Sequence, residues 1–430
     1  MGLLIYAAVF IGAFALFCAL VLKKQRRVVS ESDFSTAGRS LSAPQVSWVI
    51  IGTLVGGVST IGTVQSAYDH GISAWIFTLG SGISCFILGC FFAAALRREQ
   101  VTTVSELLGR YFGRNFQYYC SIFNSCGMFI HIVAQYLAAM AILNAVFHFS
   151  LPISLMITMV LMGVFVISGG ISSAGMVGKI KFFLLYAIMT VSAGIALIKG
   201  GGFTGILSQL PNNINFLDFF SGGIERTVTD IISMITGVLS TQIYLQAIFS
   251  AKTVREARNG AFLTAIVIPP VGILGIIVGL YLRANYPELE GNSAQALPFF
   301  LQHTLPPALA AFCSAVLLLA VLGTGAGLIL GVTTNMYMDG IRRMFTKEPE
   351  HSLSILRLCT LAVLALSGAV VLAGFSTTIL RWSYLSMGFR GASVFAGLCI
   401  VVFTRQKKFS IMVRGCLYLL PICYFILAVL

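Results

Sequence analysis

Gly323-Thr-Gly-Ala-Gly-Leu-Ile-Leu-Gly331-Val-Thr-Thr334 lies in the second half of an apolar segment that starts near Pro306. It places four glycines and three threonines where the neighbouring sequence is hydrophobic. Polar, small residues at membrane depth are costly unless they line a site or a close helix contact. The stretch therefore indicates either transport chemistry or tight helix packing, and the spacing of Gly323, Gly327 and Gly331 favours packing on one face.

The composition indicates a membrane protein. Of the 430 residues, 58% are hydrophobic and only 10% are charged, whereas soluble domains carry about 25% charged residues. We therefore expect a single membrane domain over residues 1–430, in contact with the lipid bilayer. Twelve apolar runs reach the roughly 17–25 residues that a spanning helix needs, at 3–22, 46–68, 72–96, 116–147, 152–168, 178–198, 227–249, 260–283, 306–337, 352–374, 379–403 and 410–430.

The net charge of +13 is explained by topology. Most of the 27 basic residues fall in alternate loops, one of which holds Lys179 and Lys181. The positive-inside rule makes these loops cytoplasmic and leaves both termini outside, in a multi-pass protein of the cell membrane. No nucleic-acid partner is expected.

Motifs of enzymes and ATP-driven pumps are absent from the sequence. It contains no Walker, HEXXH or GxSxG pattern, so we expect neither an enzyme nor an ATPase. The ten cysteines form no CxxC pair and lie mostly in apolar runs. They are interpreted as small packing residues, and no cofactor is expected.

Four stretches together resemble the sodium:solute symporter family, which includes proline, sugar and sialic-acid cotransporters. In chain order these are Asp33-Phe-Ser-Thr-Ala-Gly-Arg-Ser-Leu41, Ile61-Gly62 with Ala67-Tyr68-Asp-His-Gly71, Thr103-Val-Ser-Glu-Leu-Leu-Gly-Arg-Tyr-Phe-Gly113, and Gln242-Ile-Tyr-Leu-Gln246 with Ala251-Lys252 and Glu256-Ala257-Arg258. The resemblance covers about residues 30–405. Each stretch alone is weak, but their order and spacing are typical of the family.

The resemblance implies an all-α fold of the leucine-transporter type, with about twelve transmembrane helices and discontinuous helices in two inverted five-helix repeats. The repeats would span 46–198 and 227–403, with an extra helix at 3–22 and a peripheral helix at 410–430. Interrupted helices in matching places of two halves indicate a transporter's midplane site. Two glycine-rich segments are candidates for such interruptions, Gly52–Gly62 and Gly323–Gly331.

A sodium site is the second implication of the resemblance. Alignment with the family places two carbonyl ligands at Gly52 and Val55, a third carbonyl at Ala320 and a hydroxyl at Thr324. Gly323 stands where the family usually has another hydroxyl residue.

A further departure concerns the family's aspartate that assists sodium. It is replaced in Val177-Gly178-Lys179-Ile-Lys181, and a nearby lysine would repel a cation. The resemblance still makes sodium the expected coupling ion, and these departures keep proton coupling and ion-independent transport as alternatives.

The solute is expected at the midplane, near five polar residues. Ser59 and Gln65 lie by the glycine-rich part of segment two, and Gln135 lies in segment four. The amide of Gln135 would bind either a solute or a neighbouring helix. Arg390, in mid-segment, is either a solute or gating residue or a clamp that fixes helix packing. Asp230 is either its partner or a residue of the outer vestibule.

These observations predict a secondary transporter of a small organic solute that works by alternating access. A transporter-like membrane sensor is the alternative from another functional class. The sequence does not indicate which solute is carried, nor the oligomeric state.

Overall fold

A computed structural model describes residues 2–24, 31–211, 215–344, 352–374, 378–404, 409 and 411–429. These residues are almost entirely helical, and the β-structure among them is one isolated bridge, between Leu41 and Ala251. The predicted all-α class is confirmed. The α-helices are α1 Gly2–Lys24, α2 Glu31–Thr36, α3 Ala43–Leu54, α4 Thr63–His70, α5 Ile76–Ile87, α6 Ala93–Glu99, α7 Val104–Phe112, α8 Arg114–Phe147, α9 Leu151–Lys199, α10 Gly202–Ser208, α11 Ile224–Val238, α12 Gln242–Phe249, α13 Val254–Val267, α14 Pro269–Asn285, α15 Ala296–Thr304, α16 Pro307–Asn335, α17 Ser352–Leu372, α18 Ile379–Thr404 and α19 Ile411–Val429.

Eight helical stretches among the described residues are long and apolar enough to cross a membrane. Four shorter apolar helices accompany them, at Ile5–Phe17, Ala43–Leu54, Leu151–Ile167 and Met412–Tyr424. The number of twelve crossings and the division into repeats stay predictions. At the centre lies α16, which is buried along nearly its whole length and packs against α1, α3, α8 and α9.

The first interruption lies where the sequence predicts it, between α3 and α4. Val55 leaves the helix in an extended conformation (φ −94°, ψ 106°). Gly56 and Gly57 follow, and a π-helical turn at Val58–Gly62 leads into α4. Two successive glycines and a β-branched residue favour such a break, because each has a low helix propensity.

The second predicted interruption is wrong. Helix α16 runs unbroken through Gly323–Gly331, and the break in the second half of the chain lies instead at Leu239–Thr241, between α11 and α12. The glycines of α16 let neighbouring helices approach it closely. A Cβ at Gly327 would overlap the Thr53 side chain, and one at Gly331 would lie 2.9 Å from the Met128 sulfur. The packing role predicted from their four-residue spacing is confirmed at these two positions.

The loop predicted around Lys179 and Lys181 is also wrong. The chain is helical from Leu151 to Lys199, across the place where two separate segments were expected. No proline lies between the two predicted segments, so no residue there obliges the helix to end. Lys179 is exposed, whereas Lys181, two residues later, is fully buried.

Candidate functional site

The four residues predicted to hold sodium lie together. The Thr324 hydroxyl oxygen is 3.4 Å from the Gly52 carbonyl oxygen and 3.3 Å from that of Val55. Ala320, one helical turn before Thr324, directs its carbonyl towards the same point, where it accepts a hydrogen bond of 3.0 Å from Lys181 Nζ. The same nitrogen donates to Thr324 Oγ1 at 2.6 Å. The structure therefore places the side-chain nitrogen of Lys181 among the candidate sodium ligands.

Three glycines bring the helices close enough for these contacts. A Cβ at Gly56 would overlap the Thr324 hydroxyl, so the broken helix can approach α16 only without a side chain there. A Cβ at Gly178 would overlap the carbonyl oxygen of Trp48. Gly178 therefore lets α9 lie directly against α3, one turn before Lys181. Gly327 likewise lets α16 lie directly against Thr53 of α3, whose side chain a Cβ there would overlap.

These residues do not fit a sodium ion beside the lysine. Sodium is a hard cation that binds oxygen ligands, and here the Ala320 and Thr324 oxygens already accept from Lys181. Two unit positive charges 4 Å apart repel by about 4 kcal/mol at an effective dielectric constant of 20. A sodium ion bound to the same oxygens would meet this repulsion.

Gln135 lies beside the break between α3 and α4. Both atoms of its amide are buried, and neither has a hydrogen-bond partner among the described residues. A Cβ at Gly57 would lie 3.2 Å from its Oε1, which places the amide against the interrupted backbone. The interhelical hydrogen bond considered from the sequence is therefore not made by the described residues.

Arg390 is held by protein groups on three sides. Its Nη1 donates to Thr241 Oγ1 at 2.8 Å, and its Nη2 donates to Ser386 Oγ at 2.8 Å. A 3.0 Å contact joins Nη2 to His131 Nδ1. Because a guanidinium only donates, His131 Nδ1 must accept this bond and its proton must reside on Nε2. The geometry favours the clamp that fixes α18 against α8 and the break before α12.

Asp230 and Gln65 line one cavity, together with Asp69, Arg381 and Tyr384. Asp230 is not the partner of Arg390. It lies 3.9 Å from Arg381 Nη1 instead, so the vestibule position considered from the sequence fits. Gln65 accepts from the backbone nitrogen of Ile379 at 3.4 Å.

Ser59 takes part in the break itself. Its hydroxyl accepts from the Gly56 nitrogen at 2.8 Å and donates to the Gly56 oxygen at 3.1 Å. The first bond pairs the Gly56 nitrogen at the interruption with a side chain, whereas the Gly56 oxygen also accepts from the Thr60 nitrogen at 3.1 Å. Its role as a neighbour of the solute stays a prediction.

The position of Lys181 was missed from the sequence. A basic residue between two apolar runs is normally counted as a loop residue, so the sequence predicts a loop position for Lys181. The available signal was Gly178, since a glycine one turn before a lysine permits a helix contact close enough to bury the side chain.

The profile of the sodium:solute symporter family matches residues 34–421. Among curated relatives, the uncharacterized symporter YidK of Escherichia coli (strain K12) is 25% identical over 368 residues, which cover 79% of this chain and 63% of that protein. The uncharacterized symporter YwcA of Bacillus subtilis (strain 168) is 22% identical over 418 residues, covering 91% and 80%. The chain thus spans somewhat less than two thirds of the first relative and four fifths of the second.

Two solved structures share the fold. One is a Na⁺-coupled sialic acid symporter in a substrate-bound, outward-open state, with a TM-score of 0.75 and 16% identity, over 93% of this chain and 86% of that one. The other is Mhp1, a nucleobase-cation-symport-1 family transporter in a closed conformation with bromovinylhydantoin bound. Its TM-score is 0.63 with 14% identity, over 91% and 84%. The predicted leucine-transporter-type fold is confirmed.

Proposed function

Because this chain belongs to the sodium:solute symporter family, we propose that it moves a small organic solute across the cell membrane by alternating access. Its family and its fold are those of secondary transporters, not of enzymes. Membership of the family also supports sodium as the coupling ion. Solute and ion would be linked because each stabilises the same closed arrangement of helices.

The buried amide of Gln135 is the observation that carries the proposed solute site. A buried polar group without a partner is costly, and such groups persist where a ligand completes them. The amide offers two donor hydrogens and one acceptor oxygen, which suit a hydroxyl or an amide group of a solute. Beside it, a Cβ at Gly57 would lie 2.6 Å from the Ala138 Cβ and 3.2 Å from Gln135 Oε1, so the interrupted backbone packs directly against the amide.

Gln65 and Asp230 are assigned to the approach to this site. The cavity that they line reaches Gly62, where a Cβ would meet Leu380 at 3.1 Å and Ile379 at 3.2 Å. These two apolar side chains pack against Gly62, the last residue of the π-helical turn that follows the break. We assign them to the gate that a solute passes between the cavity and Gln135.

A thermal-unfolding screen of the purified protein tests the solute site. The panel holds monosaccharides, amino acids, nucleobases and carboxylate sugars, each in sodium and in potassium salt. A solute that binds the folded state stabilises it by RT ln(1 + [L]/Kd), about 2.7 kcal/mol at 100 times Kd. Gln135→Leu should abolish the stabilisation. Gln302→Leu should keep it, because the Gln302 amide bonds the Ala145 carbonyl and the Tyr6 hydroxyl, and neither partner belongs to the break.

Equal stabilisation of the wild type and Gln135→Leu by the same solute would contradict this site. No stabilisation by any compound of the panel, with ligand-dependent capture of a partner protein instead, would favour the sensor.

We also assign the basic loops to the cytoplasm and divide the chain into repeats at 46–198 and 227–403. The breaks after α3 and after α11 fall in the first long segment of each proposed repeat, which supports the division. Labelling of single cysteines with an impermeant maleimide in intact cells tests the orientation. A cysteine at Asn292 should react and one at Lys252 should not, and the opposite result would invert the topology.

A further inference from the structure

We propose that the ammonium group of Lys181 is a built-in cation that takes the place of sodium among Gly52, Val55, Ala320 and Thr324. The inference rests on the contacts of one side chain. Lys181 is fully buried, and its nitrogen donates to Ala320 O and Thr324 Oγ1. It therefore occupies the place that family resemblance assigns to a free ion.

An ammonium and a sodium ion can use the same oxygens. Each is a compact cation with one positive charge, and each is stabilised by carbonyl and hydroxyl oxygens. A sodium ion binds their lone pairs directly, whereas the ammonium reaches them through its hydrogens. The Thr324 hydroxyl accepts from Lys181 and can direct its own hydrogen to the carbonyl of Gly52 or Val55.

The absence of charged residues from the surrounding helices favours a single cation at this place. Neither α3 nor α16 contains an aspartate, glutamate, lysine, arginine or histidine. Among the described residues, Lys181 forms no ion pair with a carboxylate. The oxygens of Ala320 and Thr324 thus stabilise one positive charge, and a second would add to a charge that no anion balances.

A tethered cation changes what holds these helices together. In a sodium site, the contact between helices depends on the concentration of the ion. Here Lys181 belongs to α9, Thr324 to α16 and Gly52 to α3, so the link is part of the chain. Sodium coupling in this protein then does not run through these four residues, and any sodium that drives transport binds elsewhere.

Thermal unfolding of the purified, detergent-solubilised protein tests the inference without knowledge of the solute. The midpoint is measured in NaCl and in KCl at about 0.1 M, where both salts give a Debye length of roughly 10 Å. If the midpoint of the wild type is higher in NaCl than in KCl, the same difference should persist in Thr324→Val. Lys181→Ala should lower the midpoint in both salts, and sodium alone should partly restore it. Adding Gly323→Ser, which supplies the missing hydroxyl, should enlarge that restoration.

The matched control is Lys179→Ala, because Lys179 lies two residues away on the same helix and is exposed. It should change neither the midpoint nor its response to sodium. A sodium-specific rise in the wild type that disappears in Thr324→Val would overturn the inference. If Lys181→Ala does not fold, the comparison of the wild type with Thr324→Val still tests the inference. The proposed solute site would be untouched by such a result, because it is measured through Gln135.

Discussion

The side-chain nitrogen of Lys181 lies 2.6 Å from the hydroxyl oxygen of Thr324, where α9 and α16 meet the broken helix that begins with α3. The same hydroxyl lies within 3.4 Å of the Gly52 and Val55 carbonyl oxygens. One threonine therefore joins three helices through polar contacts in an apolar interior. Such contacts specify one arrangement of the helices, since a shift of any of them would leave a buried polar group unpaired.

Gly56→Ala should weaken this junction. The added Cβ would overlap the Thr324 hydroxyl and lie 3.2 Å from the Ala320 carbonyl oxygen, so the broken helix must move away from α16. Overpacking of this kind costs typically about 1–3 kcal/mol. The free energy of unfolding in a mild detergent measures the loss.

The control for that change is Gly194→Ala in α9. A Cβ at Gly194 meets nothing within 4 Å, and alanine favours the helix by about 1 kcal/mol over glycine. This variant should be equally or more stable than the wild type. Equal stability of Gly56→Ala and the wild type would show that Gly56 and the Thr324 side chain are less closely packed than in the structure.

Thr324 could be found from the sequence, whereas Lys181 could not be placed. A hydroxyl inside an apolar run is visible as an exception, and the family pattern adds its partners Gly52, Val55 and Ala320. Whether a lysine at the edge of such a run enters a loop or the interior depends on how closely two helices approach. That distance is set by Gly178 and Trp48, which lie far apart in the chain.

The break at Leu239–Thr241 shows a second limit. The glycines of Gly323–Gly331 predict an interruption there, but a glycine inside a packed helix can serve a close helix contact as well as an interruption. Ser240 and Thr241 carried the weaker signal, since their side chains compete for backbone hydrogen bonds. Thr241 Oγ1 donates to the Gly237 carbonyl oxygen at 2.6 Å, in the last turn of α11, where the Ser240 nitrogen also donates to it at 3.1 Å.

Gln135→Leu should make the protein more stable while removing solute binding. Leucine has a similar volume and needs no hydrogen bond, whereas the buried amide lacks partners among the described residues. Burying an unpaired polar group costs about 1–3 kcal/mol, so a gain of that order is expected. Chemical unfolding in the absence of solute measures it.

Gln117→Leu is the matched control, on the same helix α8. Its amide is also buried, but it donates to Asp339 Oδ1 at 2.7 Å. The same substitution should therefore destabilise the protein. A loss of stability in both variants would mean that the Gln135 amide is hydrogen-bonded when no solute is present.

Arg390→Lys should destabilise the fold although the positive charge is kept. A lysine cannot reproduce the planar fork that reaches Thr241, Ser386 and His131 together. Each buried group left unpaired costs about 1–3 kcal/mol. A double-mutant cycle with His131→Leu should give a coupling energy of about 0.5–3 kcal/mol. Unchanged stability with weakened solute binding would instead make Arg390 a solute ligand.

The ion pair between Asp230 and Arg381 should contribute far less to stability than the contacts of Arg390. Its shortest N–O distance is 3.9 Å, and 43% of the Arg381 side chain is exposed, so solvent screens the attraction. Asp230→Asn is expected to cost less than about 1 kcal/mol at low ionic strength. The difference from the wild type should vanish in 1 M salt, where the Debye length falls to about 3 Å. Unfolding curves at the two salt concentrations give the comparison. A cost that survives high salt would place the pair inside a closed gate, shielded from water, rather than in an open cavity.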